Sequence, residues 1–475
     1  MRKKSMGKSQ CFISNDLDGT EKERIRKNVC RDLPVNYKSG GQNYCILHFP
    51  NDQKHMNTDF NIIVSELLDA QDYVFEYCYF SDVFRLWRSE GIFHANFRHA
   101  IFLQDALFGG TVYLNGAIFD NAIFKSKAHF GNATFDHRAS FNHVIFAGTV
   151  DFRDARFNTD AHFSAIVLHQ TAYLGATFNQ SAFFRYANFE ENSEVFFDKA
   201  IFKRSAYFRD AKFKGYLVFD GTKENPVFVG DSVRIDLEDA YIENPERVVF
   251  KNVRLQPNWF VCQEKSRNFV FMNCSWTRES NTRLRVKLEI DALARFKNPV
   301  GLLRAACWQL ADNYEEKKGF EEASMFREMA NESKRLESFM GLEVWSLHWW
   351  YWLSSVYAES WRRALLVLGI LILLFFPSVY KKVSFRSCSK DRPISASLSI
   401  CESKDEEISK NCTCSVKKLT FPDAIVQSLT TATLQNVEYR KPLTGWGEFW
   451  IIMEKIFVPL QAALLALAIR RKFMR

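Results

Sequence analysis

The sequence lacks any large excess of charge. Its formal net charge is +8 over 475 residues, too small by itself to argue for a nucleic-acid partner. It has no P-loop pattern, no G-x-G-x-x-G, and no Ser, His and Asp grouping with a nucleophile signature. Nucleotide-dependent and hydrolytic chemistry are therefore not expected, and the chain reads as a non-enzyme. The basic N-terminus, MRKKSMGKSQ, has no apolar run behind it, so no secretory signal is expected. It also lacks the glycine after Met that myristoylation needs. Cys11, Cys30, Cys45, Cys78, Cys262, Cys274 and Cys307 show no paired spacing. They read as reduced cytosolic thiols, with no metal and no cofactor implied. Most histidines fall at outward repeat positions and read as solvated surface.

What the sequence has in excess is phenylalanine, 45 residues of it. From residue 93 a small residue and an aromatic recur two apart, as in Ala95/Phe97, Ala100/Phe102, Ala106/Phe108, Ala117/Phe119 and Ala122/Phe124. The pairs are spaced alternately five and six residues apart. A helix of 3.6 residues per turn cannot keep that spacing on one face. A coil with four short faces per turn can, each face sending one Phe and one small residue inward. The inward slots fall on Phe97, Phe102, Phe108, Phe119, Phe124, Phe130, Phe135, Phe141, Phe146, Phe152, Phe157 and Phe163. After a disturbed stretch the pairs return at Ala182/Phe184. Residues 93–219 have room for about six coils at the β-ladder spacing.

These residues resemble the pentapeptide-repeat family, in the variant with Phe at the centre and an extra residue in alternate repeats. The resemblance implies a right-handed quadrilateral β-helix over 93–276, behind an N-terminal cap region, 1–92. It implies a scaffold rather than a particular function. Some members mimic DNA by negative charge. Residues 93–219 hold 13 Lys/Arg against 11 Asp/Glu, so this rod is a poor mimic and no nucleic-acid role is expected.

From about 297 the pattern turns helical. Two helices broken near Gly319, within 284–342, resemble a single tetratricopeptide-type hairpin and read as a neck capping the solenoid. EVWSLHWWYWLSSVYAESWRR (343–363) carries five Trp and two Tyr, side chains that favour a bilayer interface, and reads as an interfacial helix leading into the membrane. The uncharged run 364–380 is long enough to cross the hydrocarbon. A second candidate span, 449–469, contains Glu454, Lys455, Pro459 and Gln461. Charged groups near its start can snorkel to the interface and the others should face protein or water, and Pro459 is expected to kink the helix. Arg362 and Arg363 precede the first span; Arg470, Arg471, Lys472 and Arg475 end the second. The expectation is a multi-pass protein of the plasma (inner) membrane with a cytoplasmic solenoid. The loop 381–420, with Cys388, Cys401, Cys412 and Cys414, would lie outside, where disulfides can form.

Residues 421–440 are too short and polar for a third span. Pro422 and Asp423 start a helix expected to run to about Thr431, followed by an extended stretch. From Thr431 to Gly447 the chain resembles the pore of two-transmembrane potassium channels, with Thr431, Ala432, Thr433, Pro442, Thr444, Trp446 and Gly447 in agreement. The resemblance implies a re-entrant pore helix and a homotetramer, with the filter on Leu434, Gln435, Asn436, Val437 and Glu438. Asn436 and Glu438 replace the two filter glycines, so potassium selectivity by backbone carbonyls is not expected. A ring of four Glu438 carboxylates would attract cations instead. The sequence therefore leads to a cation-channel-like membrane protein. Its alternative is a non-conducting anchored scaffold whose solenoid binds an unknown protein partner.

Overall fold

The computed structural model describes residues 10–31, 33–52, 58–86, 91–222, 227–230, 233–263, 266–276, 281–337, 347–390, 412–433 and 440–473. The chain divides into two units, Met1–Gly319 and Phe320–Arg475.

The first unit is a β-solenoid. Two-residue strands stack in parallel into sheets of eight, eight, nine and five strands, so the longest face records nine turns. Register is set by the repeat: Ala95 pairs with Ala117, Ala117 with Ala139 and Ala139 with Ala161, one coil being 117 − 95 = 22 residues. In-register pairing puts like on like. The Phe119 ring lies 5.1 Å from Phe97 and 4.9 Å from Phe141, nearly parallel to both. All twelve of the inward phenylalanines between Phe97 and Phe163 are buried. Alternate corners need a left-handed residue, and it recurs every eleven positions, at Asn121, Asn132, His143 and Asp154. Asn and Asp tolerate that conformation best among residues with a Cβ.

The disturbed stretch is not a gap. Leu168 and Leu174 fill slots that Phe fills elsewhere, and both are buried. The ladders begin at Tyr73–Val74, inside 1–92, and the last strand ends at Trp276. Two polar residues of the strands are covered. Asn96 donates to Glu76 at 2.8 Å, and Asp151 accepts from Arg153 at 2.7 Å.

Two helices close the far end of the solenoid. For reference, the helices of this unit are α1 (Gly19–Ile25), α2 (Thr58–Asp69), α3 (Thr282–Ala292) and α4 (Pro299–Glu316). On α4, Asn313 Nδ2 donates to the carbonyls of Ser266, Arg267 and Phe269, and Tyr314 stacks on Phe271 at 5.8 Å. These contacts satisfy backbone acceptors that the next coil would otherwise take. On α3, the buried Glu289 carboxylate accepts from the Asn258 backbone N–H and Nδ2 at 3.0 and 2.6 Å. Burial pushes its pKa up to about 7 against those bonds.

The second unit is mainly helical: α5 (Phe320–Glu337), α6 (Leu347–Ser355), α7 (Trp361–Tyr380), α8 (Phe421–Ala432) and α9 (Gly445–Phe473). The two helices of the expected neck are thus assigned to different units, α4 to the first and α5 to the second. A three-stranded antiparallel sheet, Ser384–Lys390, Cys412–Lys418 and Arg440–Pro442, joins the segments between the apolar helices. Its register sets Cys388 opposite Cys414; Cys401 lies outside the described residues.

Candidate functional site

Two helices of the second unit, Trp361–Tyr380 and Gly445–Arg471, are long and apolar enough to cross a membrane, at 20 and 27 residues. Only 22% of either is buried within the chain, whereas the core helix of a soluble domain is mostly covered. Leu366, Leu374, Ile452, Ile456 and Leu460 are each more than half exposed. Such a surface calls for lipid or another protein face. In α7, Pro377 has no N–H for the preceding turn, and the helix widens into a π-turn over Leu371–Phe375 just before it. α9 runs through Pro459 as one helix.

Between these two helices in sequence sits α8. It starts as the residues require: Pro422 needs no N–H partner in a first turn, and Asp423 complements the positive helix end. Twelve residues rise about 18 Å, short of the roughly 30 Å of hydrocarbon. Its buried face is Ala424, Gln427, Ser428 and Thr431. That face meets Glu454 of α9, which has no exposed surface. Ser428 Oγ donates to one carboxylate oxygen of Glu454, and Tyr380 Oη, at the end of α7, donates to the other. Glu454 therefore faces protein, one of the two placements that the sequence leaves to charges in this span. It faces inward because two hydroxyls there supply the hydrogen bonds that water would otherwise give. Tyr380 also belongs to an apolar cluster with Phe376, Phe385, Leu419, Ala424 and Val458.

A second polar knot lies where α6 gives way to α7. The Trp-rich segment is not one helix. Val356, Tyr357 and Ala358 take consecutive left-handed conformations, φ 51°, 59° and 61°. Three such residues with side chains are costly and persist only where surrounding contacts hold them. The Ala358 N–H donates to Ser355 Oγ at 2.9 Å, and the Tyr357 carbonyl accepts from Tyr351 Oη and Arg471. Next to them the part-buried Glu359 accepts from Arg327 of α5 at 2.9 Å, Arg471 of α9 at 3.0 Å and Ser324 at 2.6 Å. Gln461 donates to the Ser354 and Ala364 carbonyls, both at 2.9 Å. The last turns of α9 are thereby tied to α5 and to the elbow before α7.

Of the filter-like residues, Thr431 is buried and its hydroxyl donates to the Gln427 carbonyl at 2.8 Å. Thr433 is exposed and donates to the Leu429 and Thr430 carbonyls. Leu434, Gln435, Asn436, Val437 and Glu438 lie outside the described residues. The sequence reading missed the Glu454 partners Tyr380 and Ser428, and the Arg327–Glu359–Arg471 knot. It also missed a grouping in the first unit: Cys11, Cys30, Cys45 and His48 have their ligand atoms within 4.8 Å of one another. The one local signal for that group was the Cys45-x-x-His48 spacing.

Residues 93–145 match the family described as pentapeptide repeats, in nine copies. Over residues 93–145 the solenoid is built from pentapeptide repeats. No curated protein and no solved structure matches the chain. A pentapeptide-repeat solenoid is typically a scaffold or interaction module, because each coil spends its residues on stacking and backbone pairing rather than on a reaction centre.

Proposed function

We propose that this is a membrane-anchored pentapeptide-repeat protein whose helical unit, four copies together, forms a cation-permeable pore with a non-classical filter. In this reading α7 and α9 span the bilayer, and α8 dips in from one side and turns back. The pentapeptide-repeat solenoid stands in the cytoplasm as a docking or gating element. The observation that carries the reading is the buried Glu454 carboxylate shared by Tyr380 and Ser428. It ties a polar helix too short to span against two apolar helices, in the order span, short helix, span. Two-helix pores use that order, and a buried carboxylate in an apolar helix is unfavourable unless neighbouring groups compensate it. The exposed apolar faces of α7 and α9 leave room for lipid and for neighbouring copies. The Glu359 knot gives a soluble helix a direct hold on the end of α9, as a gate needs.

The test is conductance of the purified protein in a planar bilayer, alongside its mass in detergent by native mass spectrometry. A tetramer passing cations is expected, with Glu438→Gln weakening the preference for divalent over monovalent ions. A monomer without current at any voltage or ion would end the pore reading and leave the non-conducting scaffold. A conducting tetramer with unchanged preference in Glu438→Gln would remove Glu438 from the mechanism.

A further inference from the structure

The first unit begins with a segment that has no repeat pattern, yet four of its side chains converge in a closed pocket. Cys11 precedes α1, Cys30 ends the π-turn that follows α1, and Cys45 and His48 follow the hairpin Tyr37–Ser39/Gln42–Tyr44. All four are buried. His48 Nδ1 lies 3.5 Å from Cys11 Sγ, 3.2 Å from Cys30 Sγ and 3.2 Å from Cys45 Sγ. Three sulfurs crowding one ring nitrogen is a poor arrangement for neutral thiols, which are weak donors and weak acceptors. It suits four ligands around a common centre. Metal–sulfur and metal–nitrogen bonds of about 2.3 and 2.0–2.1 Å at tetrahedral angles set sulfur and nitrogen about 3.5 Å apart.

The surroundings supply what such a centre needs. His48 Nε2 lies 3.0 Å from the Glu76 carbonyl oxygen, which can only accept. The ring proton therefore sits on Nε2 and the Nδ1 lone pair faces the sulfurs, the usual way an outer partner orients a ligating histidine. The Cys45 N–H donates to Cys11 Sγ at 3.0 Å, favouring a sulfur that carries negative charge. Arg26 Nε holds the Cys11 carbonyl at 2.9 Å, fixing the segment that brings the first ligand.

We infer that Cys11, Cys30, Cys45 and His48 Nδ1 bind one zinc ion as a closed structural site that seals the N-terminal end of the solenoid. Three thiolates and an imidazole select a borderline-soft tetrahedral ion over magnesium, calcium or manganese. Four protein ligands leave no open position for substrate, which separates a structural from a catalytic site. The site is wired to the first coil. The Leu47 carbonyl, one residue before His48, accepts from the Tyr79 N–H at 3.0 Å. The Glu76 side chain takes Arg24 at 3.0 Å and Asn96 at 2.8 Å. In the unfolded chain the ligands are spread over 38 residues (48 − 11 + 1), so binding energy goes into folding that segment.

The test uses the full-length protein, purified under reducing conditions without chelator. About one zinc per chain is expected by elemental analysis, and Cys45→Ser should fall to a small fraction of that. Cys262→Ser, outside the cluster, should retain it. Cobalt added to metal-stripped protein should give the visible bands and thiolate charge-transfer bands of a tetrahedral sulfur-rich site. Should Cys45→Ser fail to fold, hydrogen exchange on the wild type decides. Chelation should strip protection from residues 10–52 while coils 117–213 keep theirs. Wild type without zinc that also gives no such cobalt spectrum, unchanged zinc in Cys45→Ser, or a disulfide between two of the three cysteines in non-reduced protein would each overturn the assignment.

Discussion

In the pentapeptide-repeat solenoid an inward residue meets its own kind above and below. Phe119 stacks between Phe97 and Phe141, and Phe130 between Phe108 and Phe152. Among the described residues of the helical unit no contact repeats. Glu454 has Tyr380 and Ser428, and Glu359 has Arg327, Arg471 and Ser324. A repeated apolar contact spreads stability over many equal steps, each sensed by its neighbours alone. A unique polar contact concentrates it, because removing one partner strands the others. The solenoid therefore tolerates substitution of kind, as Leu168 and Leu174 demonstrate. The helical unit tolerates substitution only when the whole group changes together.

The largest effect that probes this contrast is a hole in the stack. Phe119→Ala should destabilise the solenoid by about 3–5 kcal/mol, whereas Phe119→Leu should cost about 1–2 kcal/mol, since leucine already occupies two equivalent slots. Urea unfolding followed by far-ultraviolet circular dichroism reads both. Equal losses would mean that ring stacking itself, rather than filled volume, holds the coil.

Next in size is the polar knot. Glu454→Leu strands the Tyr380 and Ser428 hydroxyls in an apolar setting and should cost about 2–3 kcal/mol. The triple change Glu454→Leu, Tyr380→Phe, Ser428→Ala removes the carboxylate and both hydroxyls that donate to it, and should recover most of that loss. Thermal unfolding in detergent measures both. A triple variant no more stable than the single one would show that shape, not stranded hydroxyls, sets the cost.

How much of this was visible in the sequence follows the same division. Parallel in-register pairing demands the same residue type at a fixed interval, so the coil could be read from Ala95/Phe97 onward. It faded wherever chemistry changed while shape did not. Leu168 and Leu174 keep the volume but lose the aromatic marker, and the first coil carries Tyr73 and Cys78 where later coils carry alanine. Apolar run length marked α7 and α9, and Pro422–Asp423 marked the start of α8. The Trp-rich helix was overextended because nothing local in Val356-Tyr357-Ala358 announces left-handed backbone; contacts with Arg471 and Tyr351 impose it. The partners of Glu454 were not legible because they lie 26 and 74 residues away. The thiol and imidazole group was hidden for the same reason, three of its four members being far apart in the chain.

The smallest expected effect carries the comparison into the solenoid's own cap, where unique polar contacts sit beside repeats. Glu289 is buried, its carboxylate held by Asn258, and burial raises its pKa to about 7. An unfolded glutamate titrates near 4.3. Between those values the folded chain keeps a proton that the unfolded chain has released, so stability falls as pH rises through the window. It is fully present below about pH 4.3 and has reached its lower plateau above about pH 7. Gln at 289 carries no charge and still offers Asn258 a carbonyl oxygen. Glu289→Gln should therefore unfold at higher urea than wild type at pH 8, by on the order of 1–2 kcal/mol, less than the full linkage value because the attraction to nearby Arg285 is lost. Below about pH 4.5 the difference should vanish. A variant less stable at both pH values would mean that the ionised carboxylate, paired with Asn258 and Arg285, is worth more to the cap than its burial costs. The cap would then follow the rule of the helical unit rather than that of the coils beside it.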